Sequence, residues 1–300
     1  MKQFLGKVAV ITGAASGFGN AFALHGATLG MKLVLADIDQ AGLDALLSEL
    51  HARGAEAVGM RTDVSVAAQL QALADLAMNT YGQVNLLFNN AGVGSGGLIW
   101  ESTEKDWAWV LGVNLHSVIH GVRIFTPLML DAAARDSTFE AHIVNTASMS
   151  GLVNTPTMGV YNVSKNAVVS LSETLYQDLS LVTEQVGCSV LCPYFVPTAF
   201  NQSRRNRPED LSDAGTPTRS QRVAQAMSDK AVTSAKISAD EIARITYDAV
   251  CTGDFYIYSH PHAMAPVQQR FDHLLAGRNP GDPYAGRPGL RADLVKALRS

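Results

Sequence analysis

The sequence predicts an α/β fold in which one doubly wound parallel sheet lies between two layers of helices. Short apolar, β-branched runs alternate with longer segments of helical period, which is typical of βαβ units. The runs are almost wholly apolar, as expected for strands buried on both faces. Neither a repeat nor a low-complexity linker precedes residue 198, so a single domain is predicted although 300 residues would allow two.

The elements follow one another in a regular order. Strands are predicted at 8–12, 32–37, 55–63, 84–90, 142–148, 188–193 and 254–259. Helices are predicted at 17–29, 40–52, 66–81, 103–133, 158–184 and 239–252. Because a glycine-rich turn joins the first strand to the first helix, the predicted three-layer fold is Rossmann-like.

Residues 198–236 interrupt this order, since the stretch is polar, contains prolines and glycine, and shows no clear period. A connection of this length that follows a strand is expected to be a substrate lid, with a disordered segment as the alternative. We therefore expect a dinucleotide-binding and catalytic domain over residues 1–265, including the lid. Residues 266–300 are expected to form an extension that packs on the domain or on a neighbouring subunit.

The amino-acid composition limits the kinds of binding partner and the cellular location that we expect. The formal net charge is −4 and no dense Lys/Arg block occurs, which argues against nucleic acid and membrane surfaces and favours small molecules. Cys188 and Cys192 lie four apart on one predicted strand, roughly 13 Å along it, too far for a disulfide. Unpaired thiols, an N-terminal apolar run broken by Lys7, and no apolar stretch of about 18 residues predict a cytoplasmic protein.

The turn TGAASGFG at residues 12–19 predicts a nucleotide site. Gly13 and Gly17 would let the backbone approach a ligand, and Gly19 would let the helix pack closely on the strand. The N-terminus of the following helix would then bind a pyrophosphate. Asp37 ends the second strand, where a carboxylate accepts hydrogen bonds from the ribose hydroxyls and repels a 2′-phosphate. NAD is therefore preferred over NADP, with a helix N-cap at Asp37 or Asp39 as the other interpretation.

The sequence resembles the classical short-chain dehydrogenase/reductase family from residue 5 to about 260. The resemblance rests on an ordered set of motifs: TGAASGFG, Asp63-Val64, NNAG (89–92), Asn114 in GVNLH, Ser148 in IVNTAS and YNVSK (161–165). It implies that Asp63 and Val64 bracket an adenine ring and that Val196 and Thr198 contact the carboxamide. Tyr194 stands where the family usually has glycine. The cofactor contacts expected are Gly13, Ser16, Gly17, Phe18, Gly19, Asp37, Ile38, Asp63, Val64, Asn90, Ala91, Gly92, Tyr161, Lys165, Val196 and Thr198.

Tyr161 and Lys165 have the spacing of a proton-transfer pair. Residues four apart lie on one face of a helix, and a nearby ammonium favours an ionised phenol, whose free pKa is about 10. Ser148 would hold the substrate oxygen as an oxyanion-hole donor does, although a serine there could also cap a helix. The family uses an asparagine like Asn114 to bind a relay water; a buried asparagine bonded to backbone is the alternative.

These residues predict an oxidoreductase that moves a hydride between NAD(H) and a secondary alcohol or ketone. The alternatives are an NADPH-dependent carbonyl reductase and a catalytically silent nucleotide-binding protein. A neutral, fairly hydrophobic substrate is expected because the candidate pocket residues are mostly apolar: Gly94, Ser95, Leu98, Met149, Val153, Met158, Tyr194, Phe195 and Phe200.

Other features carry less weight. Arg204, Arg205 and Arg207 are expected to be solvated; the alternative is that they meet an acidic group of the substrate when the lid closes over it. His260 and His262 lack a third metal ligand nearby, so no metal site is predicted. The broad apolar faces of the helices at 103–133 and 158–184 predict a homodimer or homotetramer.

Overall fold

Seven parallel strands form one sheet in the computed structural model, which describes residues 1–213 and 215–299. The strands run in the order β3-β2-β1-β4-β5-β6-β7, so the strand order reverses at β1, with β2 and β3 on one side of it and β4 on the other. The predicted doubly wound α/β fold in a single domain is confirmed. The strands are β1 Val8–Thr12, β2 Lys32–Asp37, β3 Ala57–Arg61, β4 Leu86–Asn89, β5 Ala141–Thr146, β6 Val186–Cys192 and β7 Tyr256–Tyr258.

Helices cover both faces of the sheet. They are α1 Gly17–Thr28, α2 Gln40–Ala52, α3 Ala67–Tyr81, α4 Glu104–Leu111, α5 Ser117–Arg135, α6 Gly159–Val182, α7 Arg219–Thr233, α8 Ala239–Thr252, α9 Ala265–Leu275 and α10 Pro288–Arg299. Alternate strand residues point to opposite faces, and both faces are buried. Helices α1, α2 and α8 pack with Ala9, Ile11 and Leu33, whereas α3, α5 and α6 pack with Val8 and Val10.

The structure differs from the prediction in three places. The helix expected over 103–133 is two helices, α4 and α5, joined by a π-helical turn at Gly112–His116. The polar segment 198–236 contains helix α7, which starts with a capping box between Thr218 and Gln221. The tail contains α10 in addition to the expected short helix α9. Both extra helices are polar on average, but apolar residues recur at helical spacing in α7, at Val223, Met227 and Ala231, so the sequence held a signal that was overlooked.

A buried ion pair fastens the start of the 198–236 segment to α4. Arg207 Nη1 lies 2.6 Å from Asp106 Oδ1, and the side chains are 8% and 3% exposed. The guanidinium also lies 5.0 Å from the Trp109 ring centroid, and its Nε donates to the Leu211 carbonyl at 2.7 Å. The expectation that Arg207 is solvated is therefore wrong, since its carboxylate partner is far away in sequence. Arg204 and Arg205 are exposed as expected.

Within the described ranges 1–213 and 215–299, the helices are all too short or too polar to cross a membrane.

Candidate active site

Four strand ends meet at one edge of the sheet and supply most of the site. The glycine turn follows β1, the NNAG turn follows β4, Ser148 follows β5, and the turn containing Tyr194 follows β6. Because β1, β4, β5 and β6 are neighbours and parallel, their carboxyl ends lie side by side. The crevice at such a reversal of strand order is the usual ligand site of open α/β sheets.

The glycine turn has the shape that a dinucleotide needs. Gly13 has φ +66°, and a Cβ there would lie 2.8 Å from Ala91 Cα. Gly17 also has positive φ, +55°, and faces Thr198 across the crevice. A Cβ at Gly19 would lie 2.0 Å from the Gly13 carbonyl oxygen, so Gly19 permits close packing of α1 rather than ligand contact. The α1 N-terminus beyond Ser16 therefore faces the crevice and suits a pyrophosphate.

Asp37 is positioned by the backbone on both sides. It is 8% exposed, its Oδ2 accepts from the Ala15 N–H at 2.9 Å, and its Oδ1 accepts from the Asp39 N–H at 2.9 Å. These bonds hold the carboxylate beside the glycine turn, where it lines the cleft. Asp39 instead accepts from the Gly42 N–H and caps α2. The N-cap therefore belongs to Asp39, while Asp37 faces the cleft.

Three expected cofactor contacts lie outside the enclosed part of the cleft, namely Ile38, Asp63 and Val64. They follow the ends of β2 and β3, next to Asp37. Asp63 Oδ1 already accepts from the Ser65 N–H at 2.9 Å and from the Ser65 hydroxyl at 2.6 Å. This turn leaves the other carboxylate oxygen of Asp63 for a ligand at the open end of the site.

The NNAG turn is fastened to the glycine turn. The Asn90 N–H donates to Thr12 Oγ1 at 2.9 Å, and Asn90 Nδ2 donates to the Thr12 carbonyl at 3.0 Å. Asn90, Ala91 and Gly92 line the cleft. A Cβ at Gly92 would lie 3.4 Å from Lys165 Nζ, so this glycine keeps the floor of the cleft open beside the lysine.

Tyr161 and Lys165 lie on one face of α6 and are both buried, at 7% and 2% exposure. Lys165 Nζ donates to the Thr146 carbonyl at 2.8 Å and lies 5.9 Å from the Tyr161 ring centroid. Burial raises the pKa of Tyr161 to about 12, an effect that a hydrogen bond from Ser148 partly offsets. Burial also lowers the pKa of Lys165 to about 8. Without a ligand, desolvation therefore outweighs the expected lowering of the Tyr161 pKa by Lys165.

Ser148 serves both as a cap and as a cleft residue. Its Oγ accepts from the Ser150 N–H at 3.1 Å, capping a short 3₁₀ turn, and donates to the Pro193 carbonyl at 3.4 Å. The same hydroxyl bonds the Tyr161 phenol, so both oxygens face one point of the cleft. The cap at Ser148 is thus compatible with a second role.

Both polar atoms of the Asn114 side chain take part in hydrogen bonds within the protein. Its Oδ1 accepts from the Val93 N–H at 2.8 Å, and its Nδ2 donates to the Val93 carbonyl and to Ser164 Oγ at 3.0 and 3.1 Å. It is fully buried and lies in the π-helical turn, which shifts the backbone hydrogen bonds of that turn. The side chain matches the backbone-bonded alternative, and only the main chain of Asn114 is left for a relay.

The cleft has a volume of about 1080 Å³. The predicted cofactor and catalytic residues that line it are Gly13, Ser16, Gly17, Phe18, Asp37, Asn90, Ala91, Gly92, Ser148, Tyr161, Lys165, Val196 and Thr198. Met149, Val153, Met158, Tyr194, Phe195 and Phe200 also line it, whereas Gly94, Ser95 and Leu98 lie outside its lining. The 198–236 segment covers these three, since Ser203 Oγ accepts from the Gly94 N–H and Ser220 Oγ accepts from the Leu98 N–H.

Sequence reasoning missed a second group of lining residues that comes from late in the chain: Ala224, Met227, His260, His262, Pro283, Tyr284, Arg287 and Leu290. Their helix, loop and tail have no motif that points to the cleft. His260 and His262 were considered only as a possible metal pair, for which a surface loop was the preferred interpretation, so their place in the lining of the cleft was not foreseen.

Fold and crevice together define a dinucleotide-binding protein with an ionisable pair beside the cofactor groove. A family model described as short chain dehydrogenase matches residues 7–209, which is more than half of the chain. The chain therefore belongs to the short-chain dehydrogenase/reductase family. It is an NAD(P)-dependent oxidoreductase that acts on CH–OH groups, which confirms the predicted family and enzyme class.

Individual relatives resemble the chain over nearly its whole length. The CLA biosynthesis dehydrogenase/reductase of Lactiplantibacillus plantarum is 33% identical over 283 residues, 93% of this chain and 97% of the relative. The 1-deoxy-11-beta-hydroxypentalenate dehydrogenase of Streptomyces avermitilis is 32% identical over 268 residues, 89% of each. A crystal structure of a short chain dehydrogenase/reductase from Burkholderia phymatum in complex with NAD is 54% identical, with a TM-score of 0.92, covering 94% of this chain and 99% of that one.

Proposed function

We propose that the protein interconverts a hydrophobic secondary alcohol and its ketone with NAD(H), using Tyr161, Lys165, Ser148 and Asn114. The observation that carries this proposal is the convergence of the Tyr161 and Ser148 hydroxyls on one point of the cleft, with Lys165 Nζ beside them. The nicotinamide, when bound, exchanges a hydride with the carbinol carbon. A catalytically silent nucleotide-binding protein would not need these three groups together.

In alcohol oxidation, Tyr161 Oη takes the proton of the substrate hydroxyl, and in ketone reduction it returns that proton. Ser148 Oγ donates to the substrate oxygen as negative charge develops there. The Lys165 ammonium favours the phenolate and binds the nicotinamide ribose. The main chain at Asn114 binds the water that links Lys165 to solvent. Val196 and Thr198 hold the carboxamide.

We predict that Tyr161→Phe lowers kcat for NADH formation by roughly 10²–10⁴-fold, because the general acid/base is lost. Steady-state rates with a panel of secondary alcohols measure this, and fluorescence titration with NADH checks that the groove remains intact. Tyr176→Phe is the matched control, since Tyr176 lies on the same helix but outside the cleft. Turnover at the wild-type rate in Tyr161→Phe would remove Tyr161 from the mechanism.

The pH dependence should differ between the two directions. Since burial raises the pKa of Tyr161 to about 12, the phenol is protonated at neutral pH and ready to donate. Reduction should therefore change little near neutral pH, whereas kcat/KM for oxidation should rise with pH up to about 8, the pKa of Lys165, because the phenolate fraction grows while the ammonium remains charged. Initial rates in both directions over one buffer series test this, with NADH binding measured at each pH as the control. An oxidation rate that falls over that range would contradict the assignment.

NAD is proposed as the cofactor because the Asp37 carboxylate lines the cleft beside the glycine turn, and a carboxylate at this strand end would repel a 2′-phosphate. Replacing Asp37 with alanine removes that charge, so kcat/KM for NADP relative to NAD should rise about ten- to a hundredfold. Asp39→Ala is the control, because it removes the same charge from a residue that caps α2. If the NADP-to-NAD ratio of Asp37→Ala equals that of the wild type, the NADPH-dependent alternative gains support.

The 198–236 segment is proposed as a lid that also grips the cofactor. Arg205 Nη2 donates to Ser16 Oγ at 3.4 Å, and Arg205 Nη1 donates to the Ala199 carbonyl at 2.9 Å. The guanidinium is thus held at the phosphate-binding turn, beside Ser16, which is the N-cap residue of α1. The Arg205 guanidinium is a candidate partner for the pyrophosphate. The turn TGAASGFG itself contains no basic residue that could take this role.

We predict that Arg205→Ala weakens ADP-ribose binding about two- to fivefold, the effect of an exposed ion pair, and that high salt removes the difference. Isothermal titration calorimetry with ADP-ribose and with adenosine measures it; adenosine binding should not change. The control is Arg204→Ala, an exposed neighbour that carries the same charge. Equal losses of ADP-ribose affinity in the two variants would mean that net charge, and not the position of Arg205, determines this affinity.

A homodimer or homotetramer is proposed from the exposed apolar side chains of α6, which include Val163, Leu181 and Val182. These residues lie on a long helix whose other face is committed to the core. An apolar helix face of this kind is typical of a subunit interface.

A further inference from the structure

The C-terminal tail builds one wall of the substrate end of the cleft. Residues Pro283, Tyr284, Arg287 and Leu290 line it, together with the turn after β6. The tail is fastened in place, because Arg270 Nη1 donates to the Leu152 carbonyl at 2.9 Å and Asp282 pairs with Arg291 at 3.5 Å. Tyr284 adds a hydrogen bond to Thr155.

Arg287 and Tyr194 form a polar pair within this wall. Arg287 Nη2 donates to Tyr194 Oη at 3.0 Å, so the phenol uses a lone pair and keeps its own proton for another acceptor. Tyr194 is itself held firmly: its N–H donates to Ser259 Oγ at 2.9 Å, and its ring lies 4.8 Å from Phe195 and 5.6 Å from His260, centroid to centroid. Arg287 and Tyr194 therefore present several hydrogen-bond donors, and the Tyr194 ring is held firmly by its neighbours.

The charged side chains that line the cleft are mostly basic. Among its described lining residues Asp37 is the sole carboxylate, and it lies at the cofactor end. Lys230, Lys236 and Arg287 are basic lining residues, and all three are exposed at the mouth. In the described ranges, none of the ion pairs includes Arg287. The guanidinium is thus available to an anion that enters the cleft.

We infer that the substrate is a hydroxy or oxo acid whose carboxylate binds Arg287 and Tyr194 while an apolar body extends inward to Tyr161. This inference rests on the proposed function and names the substrate class for it. Arginine matches a carboxylate with two parallel N–H donors, and the Tyr194 hydroxyl adds a third. Apolar side chains also line the cleft, with Met149, Met158 and Met227 among them, and these suit an apolar substrate body. The neutral substrate expected from the sequence is thereby replaced by an amphipathic one.

The test uses straight-chain hydroxy acids with the hydroxyl next to the terminal methyl, from short to long, and their methyl esters. In the wild type, kcat/KM should favour the acid over its ester by on the order of ten- to a hundredfold once the chain is long enough to reach Arg287. The preference should appear chiefly in KM, because the carboxylate lies away from the reacting carbon. Arg287→Ala should reduce the acid-to-ester ratio to near unity, and Arg287→Lys and Tyr194→Phe should reduce it in part.

The control is Arg278→Ala, which removes the same charge from a tail residue outside the cleft and should keep the wild-type ratio. Equal kcat/KM for acid and ester in the wild type would overturn the inference. So would an Arg287→Ala variant that loses activity toward both by the same factor, because that result indicates a displaced tail.

A binding measurement separates this inference from the proposed function. Calorimetric titration of NADH-saturated enzyme with the acid and with the ester needs no turnover. Tighter binding of the acid without oxidation of either compound would support the carboxylate subsite and contradict the proposed reaction. Oxidation of the ester with no advantage for the acid in rate or binding would support the reaction and overturn the subsite.

Discussion

The buried ammonium of Lys165 is the constraint around which the rest of the site is arranged. It is 2% exposed and has the Thr146 carbonyl as its hydrogen-bond acceptor. Burying a charge is costly unless other polar groups compensate it, and burial lowers the pKa of Lys165 to about 8. The same desolvation raises the pKa of Tyr161 to about 12. At neutral pH the Tyr161 phenol is therefore neutral, whereas Lys165 still carries most of its charge, and the Thr146 carbonyl compensates that charge.

Hydrogen bonds between strand ends, turns and helices hold Lys165 and Tyr161 in place. Thr146 ends β5 and Lys165 lies in the second turn of α6, so the hydrogen bond between them ties a strand end to a helix. Asn114 fastens the π-helical turn to Val93 and, through Ser164, to the same helix. A displaced α6 would break both links at once. The positions of Tyr161 and Lys165 are therefore set by the sheet and not by a flexible loop.

Sequence reasoning was successful where local pattern and function coincide. The strands are apolar, the glycine turn has one steric solution, and Tyr161 and Lys165 are neighbours on any helix. It was wrong or silent where distant residues decide the outcome. Nothing local to Arg207 predicts that it is buried against Asp106, and nothing local to Asn114 predicts a π-helical turn. Helix α7 is amphipathic, but its period alone does not show that Ala224 and Met227 line the cleft, because that depends on how the 198–236 segment folds back over the sheet.

The tail shows why the substrate class was the hardest feature to predict. An apolar pocket was expected from residues next to the motifs, and those that line the cleft are indeed mostly apolar. Arg287 lies far along the chain from Tyr194, in a stretch that otherwise contains turns and prolines, and only the folded tail brings the guanidinium to the phenol. Tyr194 replaces the glycine that the family usually has, and only a residue with a long side chain can reach Arg287. The hydrogen bond between Arg287 and Tyr194 thus accounts both for a tyrosine in place of the usual glycine and for the arginine in the tail.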